Sequence, residues 1–186
     1  MQADDILLDV EDRMQKAVLK LKRDLTGIRT GRANPGLVDS VKVEAYGSSM
    51  PLKQVATVAC PEPAQILIKP FDLGTLKDIE KAIIASDLGY TPNSDGRVVR
   101  INIPPLSTEV RKKMVARIKE LAEEAKVAIR NVRRDGNKMV DTAEKSKEMS
   151  EDQRDTTKDE IQKLTKKYED ETTELAKSRE TEVMEN

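Results

Sequence analysis

The fold is decided by residues 107–143, STEVRKKMVARIKELAEEAKVAIRNVRRDGNKMVDTA, a stretch without proline. Apolar side chains recur along it at steps of three and four, which is the spacing of a stripe on one face of an α-helix. Pro104-Pro105 prevents an earlier start, and Ser107 or Thr108 can cap the first turn. Roughly 40 residues at 1.5 Å each predict a helix about 60 Å long, which needs partner helices to bury its stripe.

Two more helices can supply the partners. The first covers residues 3–29, and another opens at a capping box formed by Ser150 and Gln153. The apolar stripe of the first helix is Leu7, Val10, Met14, Ala17, Leu21, Leu25 and Ile28. That of the last helix is sparser and consists of Ile161, Leu164, Tyr168, Leu175 and Val183. The sequence therefore predicts a three-helix bundle.

Gly136 interrupts the long middle helix, where a glycine costs about 1 kcal/mol relative to alanine. Either a tight packing contact or a local bend would account for it, and the sequence does not choose between them. The stripe on either side of it runs through Val110, Met114, Ile118, Leu121, Ala125, Ala128 or Ile129, Val132, Met139 or Val140, and Ala143.

Residues 37–104 have a different character. Strands are predicted at 41–46, 52–58, 66–68 and 98–103. Thr75 can cap a short helix that runs through about Asp87, and Gly89 can end it in a left-handed turn. The predicted fold class is α+β: an elongated three-helix bundle, residues 1–30 and 106–186, with a small inserted β/α/β domain, residues 31–105.

Two linkers join the insert to the bundle. One is the breaker-rich segment at residues 30–36, and the other is Pro104-Pro105. Because the chain crosses the junction twice, we expect a hinge with restricted directions rather than a free tether. The hinge residues that we predict are Gly31, Ala33, Pro104 and Pro105.

Charge is distributed unevenly along the chain, although its formal net value is −1. Residues 109–138 carry 10 basic and 5 acidic side chains, whereas residues 139–186 carry 9 and 15. Residues 1–108 are neutral on balance. A basic stripe on a nearly neutral protein indicates a directed contact with a polyanion rather than general adhesion.

The basic stripe contains a cluster of arginines at helical spacing. Steps of three and four place Lys126, Arg130 and either Arg133 or Arg134 on one face, away from the apolar stripe. The planar fork of arginine suits phosphate oxygens and stacks on bases, which favours RNA. The alternative is a solvated face with ordinary ion pairs. Asp135 is the one acid between residues 126 and 138, which weighs against this alternative without excluding it.

Arg29 and Arg32 form a second candidate RNA contact, since they flank Gly31. The competing interpretation is a helix C-terminus, where arginine complements the helix dipole and glycine supplies a left-handed cap. Both interpretations stay open. The segment does not match a phosphate-binding loop, because no Gly-Lys-Ser/Thr follows.

Enzymatic chemistry has little support in the composition. The chain has no histidine and one cysteine, which excludes histidine-based triads, disulfides within the chain and cysteine zinc clusters. We interpret that thiol, Cys60, as buried and structural.

The acidic N-terminus lacks an apolar segment, and no apolar run is long enough to span a bilayer. We expect a cytoplasmic, monomeric protein without catalytic residues, metal or cofactor.

Four segments in one order resemble the ribosome recycling factor family. Val127–Asp135 matches the family's arginine helix, and Ile28–Pro35 matches its hinge signature. The other two are Ile103-Pro104-Pro105-Leu106 and a short-helix motif, which comprises Lys81-Ala82-Ile83, Ser86–Gly89 and Pro92-Asn93. The chain departs from the pattern at Val110, where the family often has arginine, and at Gly136, where alanine is common.

The resemblance implies an L-shaped molecule, similar in outline to tRNA, whose bundle binds the large ribosomal subunit while the small domain swings about the hinge. Together with elongation factor G, which hydrolyses GTP, such a protein splits the post-termination ribosome into subunits. Arg130 and Arg133 would contact ribosomal RNA, with Arg134, Arg29, Gly31 and Arg32 as supports. A helical protein–protein adaptor or chaperone cofactor is the alternative, motivated by the heptad stripes and the acidic tail.

Overall fold

The computed structural model describes residues 2–185, which divide into two compact units. The first unit comprises the chain up to Leu25 together with Val115–Thr181, and the second comprises Thr26–Met114 with the chain from Glu182 onward. In chain order the helices and strands are α1 (Ala3–Thr26), β1 (Lys42–Ala45), β2 (Ser48–Pro51), α2 (Leu52–Val55), β3 (Ala56–Glu62), β4 (Gln65–Pro70), α3 (Leu76–Ala85), β5 (Pro92–Ser94), β6 (Val99–Asn102), α4 (Thr108–Lys145) and α5 (Glu151–Met184). The predicted α+β class is confirmed.

The first unit is a bundle of α1, α4 and α5 around one apolar core. Ion pairs from Asp141 to Lys158 and from Arg130 to Glu169 show that α4 and α5 run antiparallel. The core contains Ile6, Val10, Met14, Val18, Ile129, Val132, Val140, Ala143, Met149, Ile161 and Tyr168. On α1 the prediction was partly wrong, because Ile6 and Val18 are buried whereas Leu7 and Ala17 lie at the core's edge.

The sparse stripe of α5 is completed by threonines. Thr157, Thr165 and Thr172 are buried at helical spacing between its apolar residues. Each hydroxyl donates to the carbonyl four residues earlier, for example from Thr165 to Ile161 at 2.8 Å, so no buried hydroxyl in this set lacks a partner. The predicted capping box is confirmed, since Ser150 and Gln153 exchange hydrogen bonds of 3.0 and 3.2 Å.

Gly136 lies where α4 packs closely on the other two helices. A Cβ atom added there would come within 2.6 Å of Val10 Cγ2 and 3.2 Å of Ile161 Cδ1. The helix continues through this position without a break. Of the two explanations left open by the sequence, the structure therefore supports tight packing.

The second unit contains two antiparallel sheets. β1 and β2 form a hairpin, and the other sheet has the strand order β3-β4-β6-β5. Its core is formed by apolar residues of both sheets and of α3. The predicted strand at 52–58 was partly wrong: Leu52–Val55 forms a helical turn that buries Leu52 and Val55 on one side, and β3 begins only at Ala56.

The start of α3 also differs from the prediction. Thr75 has helical backbone angles and makes no side-chain cap. Instead Asp72 accepts a hydrogen bond of 2.9 Å from the backbone N–H of Gly74 in the 3₁₀ turn Leu73–Thr75, which precedes the helix. Gly89 has a φ of +70° as expected, but it lies four residues beyond the helix end at Ala85.

No helix within residues 2–185 combines the length and apolar character that crossing a bilayer requires. The same residues bring together no group of three acidic or cysteine side chains suited to hold a metal ion.

Candidate nucleic-acid interface

The predicted arginine face lies along the middle of α4. The buried residues Ile129 and Val132 point into the bundle, so the basic residues between and around them lie on the other sides of the helix. Arg134 is exposed, whereas Lys126, Arg130 and Arg133 are half-buried, the two arginines through contacts with α5. The face therefore offers one exposed arginine, Arg134, and two arginines at its border with α5.

Arg130 is held by two carboxylates. Its Nε donates to Glu169 Oε1 on α5 at 3.0 Å, and its Nη2 donates to Glu123 Oε1 at 3.1 Å. These hydrogen bonds, that to Glu169 above all, raise the pKa of Arg130. The Arg130 side chain keeps 38% of its surface exposed, so the guanidinium is paired but still accessible from solvent.

The expectation that acids are scarce around this face was wrong for Arg130. Glu123 lies two helical turns before Arg130 on α4, and therefore outside residues 126–138, where Asp135 is the one acid. Glu169 lies on another helix, α5. A search at a spacing of seven residues could have found Glu123, but nothing local in the sequence signals Glu169. Asp135, the acid that was counted, instead binds Arg13 of α1 at 2.6 Å.

Arg133 and Arg134 have less competition from carboxylates. Arg133 Nη1 donates to the neutral amide oxygen of Gln162 at 3.5 Å, which is a weak hydrogen bond. Arg134 is exposed on the outer side of α4. Positive charge on this face is therefore most available at Arg133 and Arg134.

Arg29 is engaged inside the second unit. Its Nη2 donates to the carbonyl oxygen of Leu88, and its guanidinium stacks over the ring of Tyr90 at 4.8 Å from the centroid. The side chain thus ties the segment after α1 to the segment after α3.

The two predicted linkers meet at one turn of the second unit. The N–H of Ala33 donates to the Pro63 carbonyl at 2.6 Å, and the N–H of Ile103 donates to the Ala64 carbonyl at 2.7 Å. These bonds fix both segments to the turn between β3 and β4. Gly31, which has a φ of +78°, lies two residues before Ala33 and therefore outside the segment that these bonds hold.

Residues 29–32 and 103–107 also line a shared cavity of about 270 Å³, in which Leu37, Tyr90 and Val110 complete the wall. Arg32 and Pro104 are exposed at its rim. Every lining residue belongs to the second unit.

Cys60 does not provide a nucleophile. It lies half-buried on β3 against the core, rather than fully buried as expected, and burial raises the pKa of its thiol. A raised pKa lowers the thiolate fraction at neutral pH and hence the reactivity.

The family is decided by comparison with known proteins. Residues 21–184 match the family model described as ribosome recycling factor. The chain belongs to the ribosome recycling factor family. As a member of this family it is a translation factor of ribosome recycling, not an enzyme.

Individual members of the family show how far the similarity extends. The ribosome-recycling factor of Rhodopirellula baltica is 70% identical over 138 residues, which cover 74% of each chain. That of Nitratidesulfovibrio vulgaris is 48% identical over 184 residues, or 99% of each chain. The solution structure of a ribosome recycling factor superposes with a TM-score of 0.80 at 39% identity, and covers 100% of this chain and 99% of that one.

A second similar structure shows a ribosome recycling factor on the ribosome. It contains the T. thermophilus ribosome recycling factor and the E. coli elongation factor G bound to the E. coli post-termination complex. Its TM-score is 0.70 at 41% identity, with 99% of this chain and 100% of that chain covered.

Proposed function

We propose that this chain, together with elongation factor G, dissociates post-termination ribosomes so that their subunits are recycled. The observation that carries the proposal is the similarity, over nearly the whole chain, to a ribosome recycling factor seen with elongation factor G on a post-termination complex. The partners in this proposal are the large ribosomal subunit, its RNA and elongation factor G. The protein acts as a monomer in the cytoplasm.

The bundle binds large-subunit RNA through Arg133 and Arg134, with Arg130 and Lys126 beside them. The support is electrostatic: the exposed guanidinium of Arg134 and the weakly paired one of Arg133 can each replace a counterion at a phosphate. Arg130 contributes once a phosphate competes with its two carboxylates. Arginine suits this role because its fork binds two phosphate oxygens at once.

Arg32 is the supporting contact near the first linker, where its side chain is exposed. Arg29 has a second role in the proposal, because its contacts with Leu88 and Tyr90 keep it within the second unit. Through these contacts Arg29 stiffens the small domain, and its guanidinium adds positive charge where the small domain lies beside the RNA.

The inserted small domain, residues 31–105, moves about a hinge at Gly31 and at Pro104-Pro105, while Ala33, which the sequence also suggested as a hinge residue, is anchored to the small domain. The bonds that anchor Ala33 and Ile103 to the turn at Pro63-Ala64 support pivots at Gly31 on one linker and at Pro104-Pro105 on the other. Proline limits the directions of bending, since its φ is fixed near −65°.

A subunit-splitting assay tests this function. Post-termination ribosomes, elongation factor G and GTP are mixed with the protein, and the loss of light scattering reports dissociation. Wild type accelerates splitting, and Arg130→Ala/Arg133→Ala slows it at least about tenfold. If the wild-type protein does not accelerate splitting, the proposal fails; if the double variant splits at the wild-type rate, the arginine face is not the RNA anchor.

A further inference from the structure

The first helix of the bundle separates its charges along its length. Residues 4–12 of α1 carry five acidic side chains and no basic one, whereas residues 13–23 carry five basic side chains and no acidic one. The two runs cancel, so a charge count over the whole helix does not reveal the basic segment. A block of like charges of this size is typical of a segment that contacts a polyanion.

Three of these basic residues share the outer face of α1. Steps of four and three residues place Lys16, Lys20 and Arg23 along one line of the helix. All three are exposed, while Val18 and Leu21 of the same segment are buried. We call Lys16, Lys20 and Arg23 the α1 basic line.

Carboxylates compete little for the α1 basic line. Within residues 2–185, the side chains of Lys20 and Arg23 make neither an ion pair nor a hydrogen bond. Lys16 pairs with Asp12 at 2.6 Å, but both side chains keep more than half of their surface exposed, so the pair is weak. Arg23 lies in the last turn of α1, where it also complements the helix dipole, but that effect does not reach Lys16 and Lys20.

The acids that lie beside Lys20 are engaged by another cation. Asp24 and Glu124 line a groove between α1 and α4 together with Lys20. Arg117 of α4 lies 3.8 Å from Glu124. A hydrogen bond to Glu120, and then the charges of Glu120, Glu124 and Asp24, raise the pKa of Arg117. Because Arg117 offsets these acids, the positive charge of the α1 basic line stays available.

The α1 basic line and the arginine face lie on different sides of α4. Lys20 borders the groove with α1, which Ala128 of α4 also lines, whereas Arg133 reaches Gln162 on α5. The third helix, α5, carries 11 acidic and 7 basic side chains. The bundle therefore presents positive charge at α1 and at α4 and an excess of negative charge at α5.

We propose that the α1 basic line binds a second segment of RNA, so that RNA of the large subunit holds the bundle on two sides. The proposal rests on the proposed function, which supplies the RNA and the first contact at Arg133 and Arg134. Lysine provides a mobile point charge for a phosphate oxygen, and each phosphate bound releases counterions. RNA is favoured over an acidic protein, which would need apolar anchors, because Leu19 is the one large apolar residue exposed between Lys16 and Arg23.

Lys20→Gln/Arg23→Gln tests the α1 basic line, and Lys166→Gln/Lys177→Gln on α5 is the matched control. Lys166 and Lys177 are exposed in the same unit, and the control removes the same net charge. We expect the α1 variant to bind purified large subunits at least about tenfold less tightly at low salt, and the slope of log K against log salt to become shallower by about 2. The control should bind as wild type does.

Equal affinities of the two variants would overturn the proposal, because net charge alone, and not the position on α1, would then set the binding. Failure of the wild-type protein to bind large subunits at any salt concentration would instead contradict the proposed function. Urea unfolding of both variants should match wild type, since exposed charges without partners contribute little to stability.

Hydroxyl-radical probing tests the second side of the bundle. Fe(II) is tethered at Leu19→Cys beside the α1 basic line or at Gln162→Cys beside Arg133, each in a Cys60→Ala protein that has no other cysteine. We expect the two probes to cleave different segments of large-subunit RNA. Cleavage of one shared segment, or cleavage from Gln162→Cys alone, would contradict the proposal.

Discussion

Arg130 on α4 donates from Nε to Oε1 of Glu169 on α5 at 3.0 Å, so the arginine face is partly neutralised by the neighbouring helix. Both side chains lie at the surface, with 38% and 32% of their areas exposed. An exposed pair of this kind stabilises a fold only slightly. Its larger consequence is competition, because a phosphate that binds Arg130 must displace a carboxylate.

Removing that carboxylate is expected to strengthen RNA binding. Glu169→Gln keeps the size of the side chain but deletes the charge, so its affinity for ribosomal RNA at low salt rises about two- to fivefold, as expected for a surface ion pair. Filter binding or sedimentation with purified large subunits measures it. Glu174→Gln removes an exposed charge elsewhere on α5 and is the control. Equal gains for the two variants would mean that net charge alone, and not the contact with Arg130, sets the affinity.

Gly136→Ala is expected to destabilise the bundle although alanine is the better helix former. The added Cβ would overlap Val10, and overpacking of this kind costs about 1–3 kcal/mol against a gain of about 1 kcal/mol in helix propensity. Urea unfolding measures the change. Combining it with Val10→Ala should recover part of the loss, because the shortened side chain gives the new methyl group room. A Gly136→Ala protein more stable than wild type would contradict the close approach of α1 and α4.

The positions of the three long helices could be predicted from the sequence, but the residues that each helix buries against the others could be predicted only in part. Apolar periodicity located α1, α4 and α5, and the Ser150–Gln153 capping box marked the start of α5. Whether Ile6 or Leu7 is the buried residue of α1 depends on where the other two helices lie. The three buried threonines of α5 could not be distinguished from surface residues, because each satisfies its hydroxyl within its own helix.

The ion pair between Arg13 and Asp135 gives a pH dependence. The hydrogen bond from Arg13 lowers the pKa of Asp135. A lowered pKa stabilises the fold above the unfolded-state pKa of about 4, and this stabilisation is lost as pH falls through the folded-state value. Asp135→Asn should therefore reduce the free energy of unfolding at pH 7 and leave it nearly unchanged once the pH lies below the folded-state pKa of Asp135. A difference from wild type that persists at low pH would show that the carboxylate's charge is not what stabilises the contact.

Gly31→Ala tests the first linker. The φ of +78° strains a residue with a Cβ by about 1–2 kcal/mol, so the linker should move to another conformation. We expect binding to the large subunit to persist and splitting with elongation factor G to slow. Gly96→Ala adds the same strain, at a φ of +86°, in an open turn of the same unit, and serves as control. Equal effects of both variants on splitting would remove Gly31 from the hinge.

The site itself was only partly predictable. The spacing of Arg130, Arg133 and Arg134 identified the face, since a helix surface follows from sequence alone. The pairing of Arg130 with Glu169 depends on the packing of α5, and the hydrogen bond from Tyr46 to Asp72 depends on the turn between β1 and β2. Contacts between distant parts of the chain leave no periodic signal.

The most direct test of the account is the salt dependence of binding to the large ribosomal subunit. Sedimentation with purified subunits over a series of salt concentrations compares wild type with Arg133→Ala/Arg134→Ala, and Arg117→Ala removes a charge elsewhere on α4 as control. We predict weaker binding by the double variant and a fall in the slope of log K against log salt of about 1 for each arginine removed, with no change of slope for the control. An affinity and slope equal to those of wild type would contradict the claim that this face binds ribosomal RNA.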